Sequence, residues 1–278
     1  KLSYDAQLRA TIVLENKNLK EKHEQEIFLS EVPFMTPHGT FIINGVERVI
    51  VPQLARSYGM FFTEHETKKG KKFGAKIIPE RGAWIEMETE KDDAIYVRID
   101  KKRKFVATTL LRVFGLESNK EIEEAFKDDE EALRHIKIAL ERDTVESADE
   151  AYVEMHKKLR DGEVTTVENA REFIDSVFSE DRYDLSKVGR FHFNKRFDLG
   201  LDEKSVAQQL LSQEDLITII KYIVKLNTTE DATADDIDHL GSRRVRYVGE
   251  LVQQKVRKGM SQMKRNIQDR MSTIDNET

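Results

Sequence analysis

Cysteine is absent from the 278 residues. That excludes a disulfide framework and any thiolate metal site, and it fits a reducing compartment. Long apolar runs are missing as well: none approaches the roughly 18–20 residues of a membrane-spanning helix, and the first residues do not read as a signal peptide. There is no P-loop, GxGxxG, GxSxG or HExxH, and nothing in the spacing of the seven histidines groups them. Nucleotide cradles, serine hydrolysis and zinc hydrolysis therefore have no support. An excess of positive charge is also lacking. Lys and Arg number 46 against 52 Asp and Glu, a net charge of −6, which argues against a uniformly basic nucleic-acid coat and leaves room for local basic patches. Tryptophan occurs once, at Trp84.

Charged residues make up 35% of the chain and apolar residues 38%, enough for a core beneath a very polar surface. The length suggests two domains. The chain opens in mid-pattern, since "LRATIVL" already alternates like a strand, and it is expected to be a piece of a longer protein.

Residues 1 to 55 read as β. "LRATIVLEN" and "EQEIFLSEVPFM" show partial period-two alternation. "GTFIINGVERVIV" follows, punctuated by Asn44-Gly45. Both residues of that pair accept positive φ, so Thr40–Ile43 and Glu47–Val51 are expected to form a tight hairpin. Residues 57 to 105 also read as β, with "ETKKGKK" as a solvated turn.

From 106 to 230 the period becomes helical. Capping boxes are expected at Ser118/Glu121, Ser147/Glu150, Thr165/Glu168 and Ser212/Asp215. Ala151, Tyr152, Met155 and Leu159 mark one apolar stripe, ended by Gly162, and Leu216, Ile219, Ile220, Ile223 and Val224 mark another. "LNTTEDATADD" reads as a polar linker. A long helix closes the chain, with Val248, Leu251, Val252, Val256, Met260, Met263 and Ile267 on one face and Lys and Arg on the other.

Two stretches carry the candidate chemistry. "DDIDHLGSRRVR" packs Asp235, Asp236 and Asp238 beside Arg243, Arg244 and Arg246. With His239 the acids could ligate a metal, but the calcium-loop pattern is not met, and capping plus ion pairs with Arg243 and Arg244 is the simpler reading. A third reading is a surface that meets a polyanion, where arginines hold phosphates and a positioned Asp accepts from a base amine. "RIDKKRK", Arg98 to Lys104, groups five cations with one acid. By itself it is a solvated strand edge. Beside it stands Trp84, either half-buried core or a flat face for an unstacked base. On residues alone the chain is a binding or scaffold module.

"MTPHGTFIINGVERVIVPQLARS", "IIPERGAWIEM", "VRIDKKRKFVATTLLR", "SEDRYDLSKVGR" and "DDIDHLGSRRVRYVGEL" resemble, in order, the N-terminal third of the bacterial RNA polymerase β subunit. The likeness is looser from 119 to 160. It implies an α+β architecture in which a β-rich protrusion (β1), residues 1–55 and 236–278 with the long C-terminal helix, is interrupted by a mixed α/β lobe (β2), residues 56–235. It implies a soluble, cytoplasmic, nucleoid-associated nucleotidyltransferase whose catalytic Mg is held by another subunit, so that no catalytic residue, metal or cofactor is expected in this stretch.

In the family these domains form one wall of the DNA channel and hold the single-stranded non-template strand. Carried over by motif, Asp238 would accept from a guanine, Arg243 would support that pocket, Trp84 would stack on the neighbouring base, and Arg56, Asp100 and Lys101 would line the path. Expected partners are DNA and the β′, α, ω and σ subunits. "EKHEQEI", around His23 and Glu24, resembles the docking edge for a transcription-repair coupling factor or CarD-type regulator. The alternative is that the chain serves mainly as such a docking platform. Val51 resembles the edge of the rifamycin pocket. The sequence departs from the family pattern at Tyr58 in Ser57-Tyr58-Gly59, at Ser242, at Lys255 and Lys258, and at His23.

Overall fold

A computed structural model describes residues 2–16, 20–68 and 70–273. The chain divides into two units, one made of residues 1–55 and 245–278 and the other of residues 56–244.

In the first unit, β1 (Asp5–Asn16) and β2 (Glu21–Pro33) form a two-stranded antiparallel sheet with an irregularity between Leu8 and Arg9. β3 (Phe41–Ile43) and β4 (Val46–Arg48) form the expected hairpin, shorter than its pattern, since β4 ends at Arg48. Asn44 and Gly45 sit at φ 54° and 79°, the left-handed pair that a two-residue hairpin loop requires. The unit ends in α9 (Val248–Thr273), a 26-residue helix with no buried residue.

The chain leaves the first unit through β5 (Gln53–Arg56) and returns to it through β11 (Arg243–Arg246). The return crossing lies at 244/245, later than the 235/236 that the resemblance implies. Long-range hydrogen bonds are the reason. Asp235 donates its N–H to the Phe62 carbonyl (3.0 Å) and its carboxylate accepts from the Phe62 N–H (2.7 Å). The Ser57 N–H donates to the Ser242 carbonyl (2.9 Å). The acidic stretch is thereby stitched to the second unit.

The second unit holds a five-stranded antiparallel sheet in the order β10-β9-β8-β7-β6, made of β6 (Gly59–Thr67), β7 (Gly70–Ile78), β8 (Ile85–Thr89), β9 (Ile95–Ile99) and β10 (Phe105–Val106). Eight helices follow: α1 (Ala107–Val113), α2 (Asn119–Ala125), α3 (Glu130–Arg142), α4 (Ala148–Leu159), α5 (Val167–Val177), α6 (Ser186–Arg196), α7 (Glu203–Ala207) and α8 (Gln213–Thr228). Strands and helices share one core, in which Phe62, Ile77, Ile85, Met87, Ile99, Leu110, Ile136, Ile174 and Ile219 are almost fully buried.

Capping explains the helix starts. Ser118/Glu121 and Ser212/Asp215 form complete capping boxes. Ser147 accepts from the Glu150 N–H, while the Glu150 carboxylate reaches the N–H of Glu146 instead. At the third start the cap is Thr166, not Thr165: its hydroxyl accepts from the Asn169 N–H. Adjacent threonines give the same local signal, and helical phase decides between them. The mixed architecture is α+β, with the β-rich segments early in the chain and the helices after them.

Candidate nucleic-acid interface

Strand register assigns the ends of the sheet. Gly59 lies opposite Ile78, Ile77 opposite Ile85, and Ile85 opposite Ile99. The start of β6, the start of β8 and the finish of β9 are therefore at one end. Trp84 immediately precedes β8, and Asp100 and Lys101 immediately follow β9. Ser57 lies two residues before β6 begins and is hydrogen-bonded to Ser242. β6 and β8 are two strand spacings apart, about 10 Å.

Trp84 is 39% exposed, and its backbone is fixed from both sides. Asp100 and Lys101 have φ of 46° and 59°, a left-handed pair closed by the Lys102 N–H on the Ile99 carbonyl (2.9 Å). That turn points the Asp100 carboxylate at the Trp84 N–H (2.9 Å), while the Asp100 N–H donates to the Trp84 carbonyl (2.9 Å). On the other side Arg81 pairs with Asp184 (3.1 Å). Gly82 has φ 116°, and a Cβ there would stand 2.7 Å from Tyr183 Cδ2. Only glycine allows this close approach.

The basic stretch beyond is partly neutralised. Lys102 pairs with Asp161 (2.8 Å) and Arg98 with Glu88 (4.0 Å). Lys104 pairs with Glu90 and lies over the Tyr96 ring (4.7 Å), and this contact holds the Glu90 carboxyl below its ordinary value. Lys101 and Arg103 are exposed and have no ion-pair partner among the described residues.

The stretch 235–242 follows the outer edge of β6 from Phe62 to Ser57. Its acids divide their work. Asp235 pairs with Arg196, not with the arginines of its own stretch. Asp236 accepts from the N–H groups of Asp238 (2.9 Å) and His239 (3.1 Å). His239 Nδ1 accepts from the Gly241 N–H (3.0 Å). The Asp238 side chain is exposed, and its carboxylate makes no hydrogen bond or ion pair among the described residues. Arg56 and Arg243, both partly buried, flank the Ser57–Ser242 hydrogen bond. Arg244 stacks on Tyr58, 4.0 Å from the ring centroid. Among the described residues no three His, Asp or Glu side chains are grouped as metal ligands.

A pocket of about 320 Å³ opens beside this stretch, lined by Ser57, Phe61, His192, Arg196, Asp235 and His239 among others. The sequence reading missed His192 and Arg196. Loss of hydration, and then Lys195, hold the His192 imidazole below its ordinary value. Both residues lie on α6, whose i, i+4 spacing puts them on one face, but only the fold brings Asp235 to them.

The regulator-edge residues lie in the first unit. His23 is 71% exposed and 3.4 Å from Glu21; it stands opposite Leu14, and the exposed Glu24 opposite Val13. Val51, between β4 and β5, is 68% exposed.

Known proteins supply the remaining comparison. The family described as RNA polymerase Rpb2, domain 2, matches residues 56–246, nearly the bounds of the second unit. The chain is 42% identical over 292 residues to a DNA-directed RNA polymerase subunit beta of Bifidobacterium adolescentis, covering 99% of this chain and 24% of that protein. It is 42% identical over 273 residues to that of Prochlorococcus marinus, 97% and 24%, and 41% identical over 278 residues to that of Gloeobacter violaceus, 99% and 24%. The chain thus spans about a quarter of the length of these relatives. By the match across its second unit and the likeness along nearly all its length, the chain belongs to the RNA polymerase Rpb2 family, as a stretch of the β subunit.

Proposed function

We propose that this chain is the protrusion and lobe of a bacterial DNA-directed RNA polymerase β subunit and lines one wall of the DNA channel. The sheet end that carries Trp84, Lys101, Arg56 and Arg243 grips the displaced non-template strand, and Asp238 reads one base. The observation that carries this reading is the pairing state of the side chains. Nearby acids are consumed by caps and ion pairs, whereas Asp238 keeps both carboxylate oxygens for a partner. A free carboxylate accepts from a base amine and repels a phosphate out of register, and the free cations hold the backbone. The half-exposed indole offers a stacking face worth about 1–3 kcal/mol per base.

Nucleotidyl transfer in the assembled enzyme belongs to Mg-binding carboxylates on another subunit, and this chain contributes strand placement. DNA and the β′, α, ω and σ subunits are its partners, in the cytoplasm at the nucleoid. The test uses assembled polymerase carrying Asp238→Ala or Trp84→Ala. Asp238→Ala is expected to cost about 1–3 kcal/mol of preference for a guanine in the non-template strand, and Trp84→Ala about 1–3 kcal/mol of strand binding whatever the base. Unchanged guanine preference in Asp238→Ala together with unchanged strand binding in Trp84→Ala refutes the assignment.

A second reading rests on a separate observation. Among the described residues β1 and β2 form a sheet of two strands, so each strand has one edge with no strand paired to it among those residues. An edge of 12 or 13 residues suits strand addition by a regulator of the coupling-factor or CarD type near His23 and Glu24. Substitutions at His23 and Glu24 that leave regulator capture by the polymerase intact would remove this reading.

A further inference from the structure

We infer that Asp100 is a positioning residue for the Trp84 indole, acting through the Trp84 backbone and not by touching nucleic acid. The inference deepens the stacking role proposed above and rests on it only for the consequence in DNA binding.

The geometry is specific. Trp84 lies outside β8 and would be free to swing as the first residue after a loop. Two hydrogen bonds to one residue prevent this. The Asp100 carboxylate accepts from the Trp84 N–H, and the Asp100 N–H donates to the Trp84 carbonyl, each at 2.9 Å. Both backbone groups of Trp84 are thereby held by the single turn that follows β9, which fixes the Cα–Cβ bond from which the indole extends and limits the rotamers open to it.

The carboxylate reaches that N–H only because Asp100 adopts φ 46°. Aspartate tolerates this left-handed conformation better than most residues. An oxygen already engaged with a backbone N–H, on a residue that carries negative charge, is a poor contact for a phosphate. The neighbouring Lys101, exposed and without an ion-pair partner among the described residues, is the group of this turn suited to the strand.

Because Trp84 is the single tryptophan, its fluorescence in the 278-residue chain reads this site directly and without DNA. Two variants separate the causes. Asp100→Gly keeps the left-handed turn and deletes the acceptor. Asp100→Asn keeps an acceptor oxygen and the turn but removes the charge. In Asp100→Gly we expect a red-shifted emission, lower anisotropy and iodide quenching raised about two-fold, because the Trp84 N–H loses its acceptor and only the bond to its carbonyl still holds the backbone. Asp100→Asn should restore the parent signal. Circular dichroism of each variant verifies that the sheet is retained.

An unchanged indole in Asp100→Gly overturns the inference. So does an Asp100→Asn signal that matches Asp100→Gly, because charge would then be the operative property. A short labelled single strand provides the second arm, in which Asp100→Gly should bind about five-fold more weakly, part of the stacking contribution. If Asp100→Gly moves the indole while Trp84→Ala leaves strand binding unaltered, the positioning role stands and the stacking reading fails.

Discussion

The two units bury their apolar side chains differently. In the second unit Phe62, Ile85, Met87, Leu111, Ile136 and Ile219 are essentially inaccessible, and every fully buried hydrophobic residue of the described chain lies between Phe61 and Val224. The first unit has none. Its ribbon leaves Ile12, Val13, Leu14 and Phe28 about half exposed, and its long helix does the same with Val256, Met260, Ile267 and Met271. The spacing of an apolar stripe is therefore not evidence of burial. α8 and α9 both carry such stripes, yet α8 buries Leu216, Ile219, Ile220, Ile223 and Val224 while α9 buries nothing. A two-stranded ribbon and a helix without a closed core are marginal in water, so the stability of the chain resides in the second unit.

The largest expected effect tests that contrast directly. Phe62→Ala removes a ring that is fully buried and lies 4.4 Å from the Tyr222 ring centroid, and it should cost about 3–5 kcal/mol in urea unfolding. Val256→Ala in α9 removes a side chain that is half exposed and should stay within about 0.5 kcal/mol. Equal losses would mean that α9 is as well packed as α8.

A buried ion pair gives the next effect. Arg190 meets the Asp215 carboxylate with two bonds of 2.8 Å and also donates to the Gln208 (2.6 Å) and Leu210 (2.5 Å) carbonyls. Both side chains are nearly inaccessible. Arg190→Met leaves the buried Asp215 carboxylate with no cation and only the Ser212 N–H of its capping box, and should cost about 3–5 kcal/mol, whereas replacing both partners with apolar residues of similar volume should recover part of that, less the lost cap. A double variant no better than the single one would refute the account. The first unit contains no comparable pair among its described residues.

The contrast also marks how far the sequence could be read. The Asn44-Gly45 hairpin, the Ser118 and Ser212 capping boxes and the order of strands before helices were legible, because each signal spans only a few residues. What was not legible spans long separations. Asp235 caps nothing near it in sequence; it bonds to Phe62, 173 positions away, so a stretch that reads as a polar linker belongs to a packed unit. Arg81 falls in the stretch that reads as β, and nothing near it in sequence points to Asp184, which holds it. At the candidate site the residue types of Trp84 and Asp238 were visible. The engagement of Asp100 with the Trp84 backbone was not, since no spacing rule links the far ends of two strands. The pocket residues His192 and Arg196 were missed for the same reason.

Acidification should act on the second unit. His135 is buried on α3, and its Nδ1 lies 2.7 Å from the Asp93 carbonyl. Burial holds its imidazole below the ordinary value; the Asp93 carbonyl and carboxylate oppose that, and Arg134 and Lys72 reinforce it. The unfolded chain takes up this proton near pH 6.5 while the folded chain resists. Stability is therefore intact above about pH 6.5 and declines as pH falls below it, levelling off below the folded pKa. One such group contributes at most about 1.4 kcal/mol per pH unit. His135→Gln should flatten this part of the urea midpoint between pH 7.5 and 5.5, leaving the contribution of His192, which has the same sign. An unchanged slope would exclude His135.

The smallest effect belongs to the first unit, and its smallness is the point. Arg9 and Glu26 pair across the ribbon at 3.1 Å, with side-chain exposures of 57% and 59%. They are diagonal neighbours, because Thr11 stands opposite Glu26 and Phe28 opposite Arg9. Arg9 also donates to Gln7 (3.1 Å), so its guanidinium keeps a partner when Glu26 is removed. Water screens both charges, and ordering two long side chains offsets most of the attraction. A double-mutant cycle of Arg9→Ala and Glu26→Ala should give a coupling of about 0.5 kcal/mol or less, reduced further at high salt. A coupling several times larger, or one insensitive to salt, would mean that the ribbon is shielded from solvent, and the contrast between an open and a closed unit would have to be withdrawn.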